Sequence, residues 1–153
     1  MNSLLDNIKV RLSPPRRMAR DIARMLRLSH CGLHFAAKLA CNKIFYRYGC
    51  CISPNADIAS DVIFPHPTGI VIGEGVRIGS GCVIYQQVTL GRKDDGYPSL
   101  GEHCTLYTGS SVLGDVVLAE GVTVGANTLV IKSCTTPGSV LVGSPAKVLA
   151  SSS

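Results

Sequence analysis

Large aliphatic residues recur along this chain at every sixth position. Ile52 and Ile58 open the series, Ile72, Ile78, Ile84 and Leu90 continue it, and Leu100, Leu106, Val112, Leu118, Val124 and Val130 complete it, twelve positions in three blocks, each internally in register. An amphipathic helix repeats about every 3.6 residues and a flat strand every two or so, and a period of six belongs to neither. It predicts a coiled ribbon, a triangular prism whose flat faces take six residues each, with one side chain per face pointing to the axis and about 18 residues per coil. The position four after each aliphatic is also restricted, to Ala56, Val62, Val76, Cys82, Val88, Cys104, Ser110, Val116, Val122, Thr128 and Cys134. Small or β-branched residues there suit a narrow interior. Glycine follows the aliphatic at Gly73, Gly79, Gly91, Gly101 and Gly125, where a tight corner needs either a positive φ or the absence of a side chain.

The register breaks twice. In FPHPTGIVIG, residues 64–73, the step from Phe64 to Ile72 is eight residues instead of six, so two extra residues bulge out beside His66. In GRKDDGYPS, residues 91–99, a polar loop is thrown out between Leu90 and Leu100. Irregularities in a regular solenoid are where function is usually inserted. Ahead of the repeat the period changes. After a break at Pro14 and Pro15, apolar residues from Arg16 to Tyr48 fall at helical spacing, among them Ile22, Met25, Leu26, Leu33, Ala37, Ile44 and Phe45. The expectation is a basic amphipathic helical segment over residues 1–50, with one or two helices interrupted near Ser29–Gly32, and a mainly β repeat domain over residues 51–149. The signal over residues 3–13 is too short to assign.

Composition places the 153 residues among globular chains: 46% are hydrophobic and mean hydropathy is +0.27, enough for one core. The net charge of +5 hides an asymmetry. Residues 1–50 hold ten basic side chains against Asp6 and Asp21, a balance of +8, which leaves −3 for the remainder. Such a segment suits an anionic lipid surface or an acidic partner, or else it is the solvated face of a helix packed on its own domain. It has few interleaved aromatics and no nucleic-acid motif, so nucleic acid is not an expected partner. The seven cysteines, odd in number and without a C-x-x-C pair, argue against a disulfide framework or a zinc ribbon. They read as reduced, mostly buried thiols of a cytoplasmic protein. Neither a secretory signal pattern nor an apolar run of about 18 residues is visible. The expected location is the cytoplasm, or peripherally the inner face of the membrane.

His66 in PHPTGIVIGEG, then IYQQVTLG, a polar loop and a closing VGSPAKVL, in that order on a hexad repeat, resemble the serine acetyltransferase family of hexapeptide-repeat acetyltransferases. The resemblance covers roughly residues 50–149 and is closest to the short members that accompany polysaccharide synthesis. It implies a left-handed parallel β-helix, a hand that periodicity alone does not give. It also implies an acetyl-CoA-dependent O-acetyltransferase working as a homotrimer, with active sites in the grooves between subunits. His66 matches the family's catalytic histidine, which takes the proton of the acceptor hydroxyl; imidazole, titrating near neutrality, suits that task. Carried over position by position, acetyl-CoA is held by Gly91 at the loop start, Thr108 and Ala126 on successive coils, and Lys132 and Lys147 near the phosphates. No metal is implied. His103 falls in a turn of the repeat and reads as solvent-facing, while His30 and His34 are four apart on a helix, two potential ligands without a third.

The chain departs from the family pattern at the site itself. The aspartate fifteen residues ahead of the histidine, which orients it, is Cys51 here; the acid directly before it is Pro65; and the arginine-histidine pair ahead of the loop proline is Gly96-Tyr97. A thiol does not supply the charge that steadies an imidazolium, so Asp57 and Asp61 become candidates for that role by proximity. The helical part is shorter than the family's. These departures leave the acceptor open between serine and a saccharide hydroxyl in polysaccharide biosynthesis. They also leave open a catalytically silent trimeric scaffold that binds a partner enzyme. A metal-dependent hydratase on the same fold needs three converging histidines, and the repeat region supplies His66 and His103 only.

Overall fold

A computed structural model describes residues 14–150. The segment 3–13, with Lys9 and Arg11, lies outside the described residues. The helical stretch forms two helices, α1 (Pro14–His30) and α2 (His34–Tyr48), joined by a turn at Cys31 and Gly32. Proline suits the first turn of α1, where its missing N–H has no intrahelical partner to lose. Met18, Ile22, Met25 and Leu26 of α1 are buried in one continuous core with the repeat, and Arg16, Arg20, Arg24 and Arg27 are exposed on the opposite face. In α2 Ala37 and Ile44 are buried, while Phe35, Leu39, Phe45 and Tyr46 are exposed. Gly49 ends α2 at φ 62°, its N–H donating to Phe45 O at 2.8 Å. His30 and His34 therefore belong to different helices and do not share one helix face, because the turn intervenes. Among the described residues no group of three His, Cys, Asp or Glu could hold a metal ion.

Beyond Gly49 the chain winds as a left-handed parallel β-helix of about five coils. The first face stacks β1 (Cys51–Ile52), β3 (Val71–Ile72), β6 (Thr89–Gly91), β9 (Ser111–Leu113) and β12 (Leu129–Val130). The second stacks β2 (Asp57–Ile58), β4 (Arg77–Ile78), β7 (Ser99–Leu100) and β10 (Val117–Leu118). The third stacks β5 (Val83–Ile84), β8 (Thr105–Leu106), β11 (Thr123–Val124) and β13 (Val140–Val142), with β14 (Lys147–Ala150) antiparallel against β13. Register sets each aliphatic on its counterpart: Ile52 on Ile72, Ile72 on Leu90, Leu90 on Val112, Val112 on Val130.

Two side chains per face point inward, not the one that the period predicts. Val76 with Ile78, Cys82 with Ile84 and Val88 with Leu90 are all buried, because the strand's two-residue alternation repeats within each face. The restricted position is thus itself a core position. Cys50, Cys82, Cys104 and Cys134 are buried, Cys41 is half-buried, Cys31 and Cys51 are exposed, and all seven are free.

The corners separate two roles of glycine. Between the second and third faces, Gly81, His103, Gly121 and Gly138 stack with φ of 68°, 56°, 69° and 65°. Between the third and first faces, Gly69, Gln87, Gly109 and Asn127 stack with φ of 66°, 59°, 68° and 53°. These left-handed residues turn the chain, and glycine takes the conformation at least cost. A Cβ on Gly81 would overlap the His103 ring, and one on Gly109 the Asn127 amide. The glycines that follow the aliphatics are different: at Gly79 and Gly101 φ is not left-handed, and a Cβ would lie 2.8 Å from Gly101 C and from Glu120 N respectively.

Candidate active site

His66 stands in the wide step between the first and second coils. Phe64 before it and Pro67 after it are both buried and anchor the bulge, while the imidazole between them stays exposed. The Thr68 N–H donates to His66 O at 2.8 Å, and the Gln87 N–H donates to Thr68 O at 2.9 Å, which ties the bulge to the next coil. The His66 ring lies against Tyr85, with ring centres 6.1 Å apart and planes inclined by 49°, and Tyr85 stacks on Tyr107 at 5.1 Å and 19°. Tyr85 and Tyr107 each follow an inward aliphatic, and their N–H groups donate to Leu106 O and Val124 O at 3.0 and 2.9 Å. Three rings therefore climb one corner of the prism, one per coil.

A groove of about 500 Å³ opens on His66, lined by Pro14 and Pro15 of α1, Arg47 and Tyr48 at the end of α2, and Pro65, Pro67 and Thr68. Among the described residues no carboxylate lines it. Among the described residues the His66 side chain has no hydrogen-bond or ion-pair partner. Neither aspartate expected to replace the missing one reaches His66. Asp57 stands outward on β2 in register with Arg77. Asp61 lies at the corner between the second and third faces, where it accepts hydrogen bonds from Ser80 Oγ at 2.6 Å and Gly81 N–H at 3.1 Å. The Ser80 hydrogen bond is the main cause that holds the Asp61 carboxyl below its ordinary pKa. Six residues of coil carry the chain to another face, so nearness in sequence misplaces both. Cys51 is exposed on β1 in register with Val71.

Thr108 and Ala126 occupy the same corner as His66, two and three coils further on, roughly 10 and 14 Å away at the spacing of stacked strands. Among the described residues the N–H groups of Gln86, Thr108 and Ala126 have no acceptor, and Gln86 Oε1 is buried without a partner. Gly91 ends β6 at the opposite edge of the first face, where its carbonyl accepts the Gly114 N–H at 3.1 Å and a Cβ would lie 3.1 Å from Leu113 Cδ2. Lys132 is exposed just past β12 on that same edge, and Lys147 is exposed on β14. The expected residues thus line both edges of one face, with Lys147 on the closing hairpin.

The loop after Gly91 packs against the coils on either side. Arg92 Nη2 pairs with Asp95 at 2.6 Å and Lys93 Nζ with Asp94 at 3.3 Å. The Tyr97 hydroxyl donates to Glu74 Oε1 at 2.9 Å, which raises its pKa, and the Tyr97 ring covers Gly73 and Gly75. Gly96 packs so closely on Asp115 that a Cβ would lie 2.5 Å from the Asp115 backbone nitrogen. Sequence reasoning missed Arg47, Tyr48, Tyr85 and Tyr107. The last two carried a signal, since each directly follows an aliphatic of the series; Arg47 and Tyr48 carried only their place at the end of a helix.

No family model matches the chain. A serine acetyltransferase of Buchnera aphidicola is 38% identical over 103 residues, 64% of this chain and 39% of that protein. One from Helicobacter pylori is 38% identical over 102 residues, 64% of this chain and 59% of that protein. The crystal structure of the Neisseria gonorrhoeae serine acetyltransferase superposes with a TM-score of 0.84 at 27% identity, over 90% of this chain and 55% of that one. The chain is a relative of the serine acetyltransferases. A serine acetyltransferase solved in complex with CoA superposes with a TM-score of 0.82 at 27% identity, over 88% of this chain and 56% of that one. The chain spans about half the length of the curated serine acetyltransferases that it matches.

Proposed function

We propose that this chain is an acetyl-CoA-dependent O-acetyltransferase with His66 as general base. The observation that carries the reading is an exposed imidazole held between two buried residues at the mouth of a groove. His66 takes the proton of the acceptor hydroxyl as that oxygen bonds to the acetyl carbonyl carbon. The carbon–sulfur bond breaks, the imidazolium returns the proton to the departing thiolate, and CoA leaves as the thiol. The Tyr85 ring, 6.1 Å from the imidazole centre, is the group that packs beside His66 and orients it.

The unpartnered N–H groups of Gln86, Thr108 and Ala126, one per coil, suit the carbonyls of an extended pantetheine arm. Gly91 borders the same face, and Lys132 and Lys147 bring cations to its far end for the phosphates. The name of the relatives points to serine as acceptor. Cys51 and the clasped Tyr97 point instead to a saccharide hydroxyl in polysaccharide synthesis. The reading includes a homotrimer, in which a neighbouring subunit closes the groove. It also sets the helical pair on an anionic membrane, since the exposed arginine face of α1 adjoins the exposed Phe35, Leu39 and Tyr46 of α2 across a groove lined by Arg24 and Leu39. The test is thiol release from acetyl-CoA by the purified protein with L-serine and with a panel of saccharides. Release with either acceptor class supports the enzyme and names the class; acetyl-CoA binding without release for any acceptor favours the silent scaffold instead.

A further inference from the structure

The groove at His66 continues along α1 into a second one, lined by Arg17, Arg20, Asp21 and Arg47, and Arg47 belongs to both. Among the described residues Asp21 is the one carboxylate lining either groove, and it is already occupied. Its Oδ1 accepts from Lys43 Nζ at 2.8 Å, and its Oδ2 accepts from the Tyr48 hydroxyl at 3.0 Å and Arg47 Nη1 at 3.4 Å. Burial alone would raise the Asp21 pKa, but the hydrogen bonds from Lys43 and Tyr48 and the charges of Lys43 and Arg47 outweigh it and hold the carboxyl below its ordinary value. Lys43, Arg47 and the Tyr48 hydroxyl thus converge on one carboxylate. Arg47 commits one long hydrogen bond to Asp21 and its side chain remains 48% exposed, which leaves most of a five-donor fork to the groove.

The loop after Gly91 lines neither groove and brings no cation to them. Arg92 and Lys93 pair with their own neighbours, and the position before the loop proline is Tyr97, bonded to Glu74. From this we infer that the hydroxyl acceptor carries an oxyanion, a phosphate or a carboxylate, that Arg47 binds while the hydroxyl stands at His66. The inference rests on the acetyltransferase reading for the hydroxyl and on the Arg47 geometry for the charge. Neutral sugars lack the group that Arg47 recognises, and serine offsets its carboxylate with an ammonium that meets no carboxylate among the described residues of the groove.

Inorganic phosphate is the direct probe, titrated against the full chain while the ring C–H signals of His66 are followed by NMR at constant pH and ionic strength. Comparison with His66→Ala assigns the signals. We expect a saturable shift in the wild type, retained in Arg47→Lys, weakened about ten-fold or more in Arg47→Gln in line with a lost charge-assisted pair, and unchanged in Arg24→Gln. No saturable shift in the wild type, or an Arg47→Gln titration like the wild type's, overturns the inference. Paired acceptors with the same free hydroxyls, methyl α-glucoside against glucose 1-phosphate and galacturonic acid methyl ester against galacturonate, then separate the two claims in the thiol-release assay. Release favouring the anionic member, with the preference lost in Arg47→Gln, supports the inference and tells phosphate from carboxylate. Equal release from both members overturns it and leaves the acetyltransferase standing. Phosphate binding at Arg47 without release from any acceptor overturns the acetyltransferase and leaves the anion site.

Discussion

Replacing Gly101 by alanine isolates the close approach between coils. Gly101 follows the inward Leu100, and its N–H donates to Leu118 O at 2.8 Å. A Cβ there would lie 2.8 Å from Glu120 N, 3.0 Å from Ala119 C and 3.0 Å from Leu118 O, all backbone atoms of the next coil. The ladder fixes those atoms, so they cannot step aside as a side chain can. Overpacking a fixed site costs about 1–3 kcal/mol. Alanine recovers about 0.4–1 kcal/mol by restricting the unfolded chain. With backbone on every side the upper part of the first range applies, and the net loss is about 2 kcal/mol. For a chain of this size that lowers Tm by roughly 4–8 °C. Gly32 is the control: its φ is +74° and nothing lies within 4 Å of its Cβ position. Gly32→Ala meets only the left-handed penalty of about 1–2 kcal/mol, partly offset by the same unfolded-state gain. Thermal unfolding by circular dichroism compares the two. Gly101→Ala melting within a degree or so of the wild type, or above Gly32→Ala, would refute the steric account of the glycines that follow the aliphatics.

Leu90 is fully buried and stacks between Ile72 and Val112, so Leu90→Ala should lose about 2–5 kcal/mol in urea unfolding. Asp21→Asn should lower stability at neutral pH, and its deficit should shrink as pH falls below about 4. The Asp21 carboxyl is held below its ordinary value when folded, so its contribution is full above that value and lost on protonation; melts at pH 7 and pH 3 check the sign. Tyr97→Phe removes the hydrogen bond to Glu74 but keeps the ring on Gly73 and Gly75, so the melting temperature should stay close to that of the wild type. Sedimentation with vesicles should show binding to phosphatidylglycerol but not phosphatidylcholine, weakened by the double substitution Phe35→Ser and Tyr46→Ser; equal sedimentation with both lipids goes against the membrane contact.

The hexad was legible because the narrow axis takes a large aliphatic side chain at one position of each face and a small or β-branched one at another. His66 was legible because it breaks that register. The corners were harder to read, since Gln87, His103 and Asn127 hold left-handed conformations but look like ordinary polar turn residues in the sequence. The surroundings of His66 were hardest. Asp61 is five residues away in sequence yet lies on another corner, while Arg47 is nineteen away and lines the groove. A coil and a helix end bring residues together by geometry that no local pattern records.

The central claim is that His66 moves the acceptor's proton. The most direct measurement is acceptor-dependent thiol release from acetyl-CoA by the wild type and by His66→Ala, with acetyl-CoA binding measured in both. Loss of the general base should lower kcat by about a hundred-fold or more while acetyl-CoA binding persists. Release that continues in His66→Ala at the wild-type rate would contradict the account.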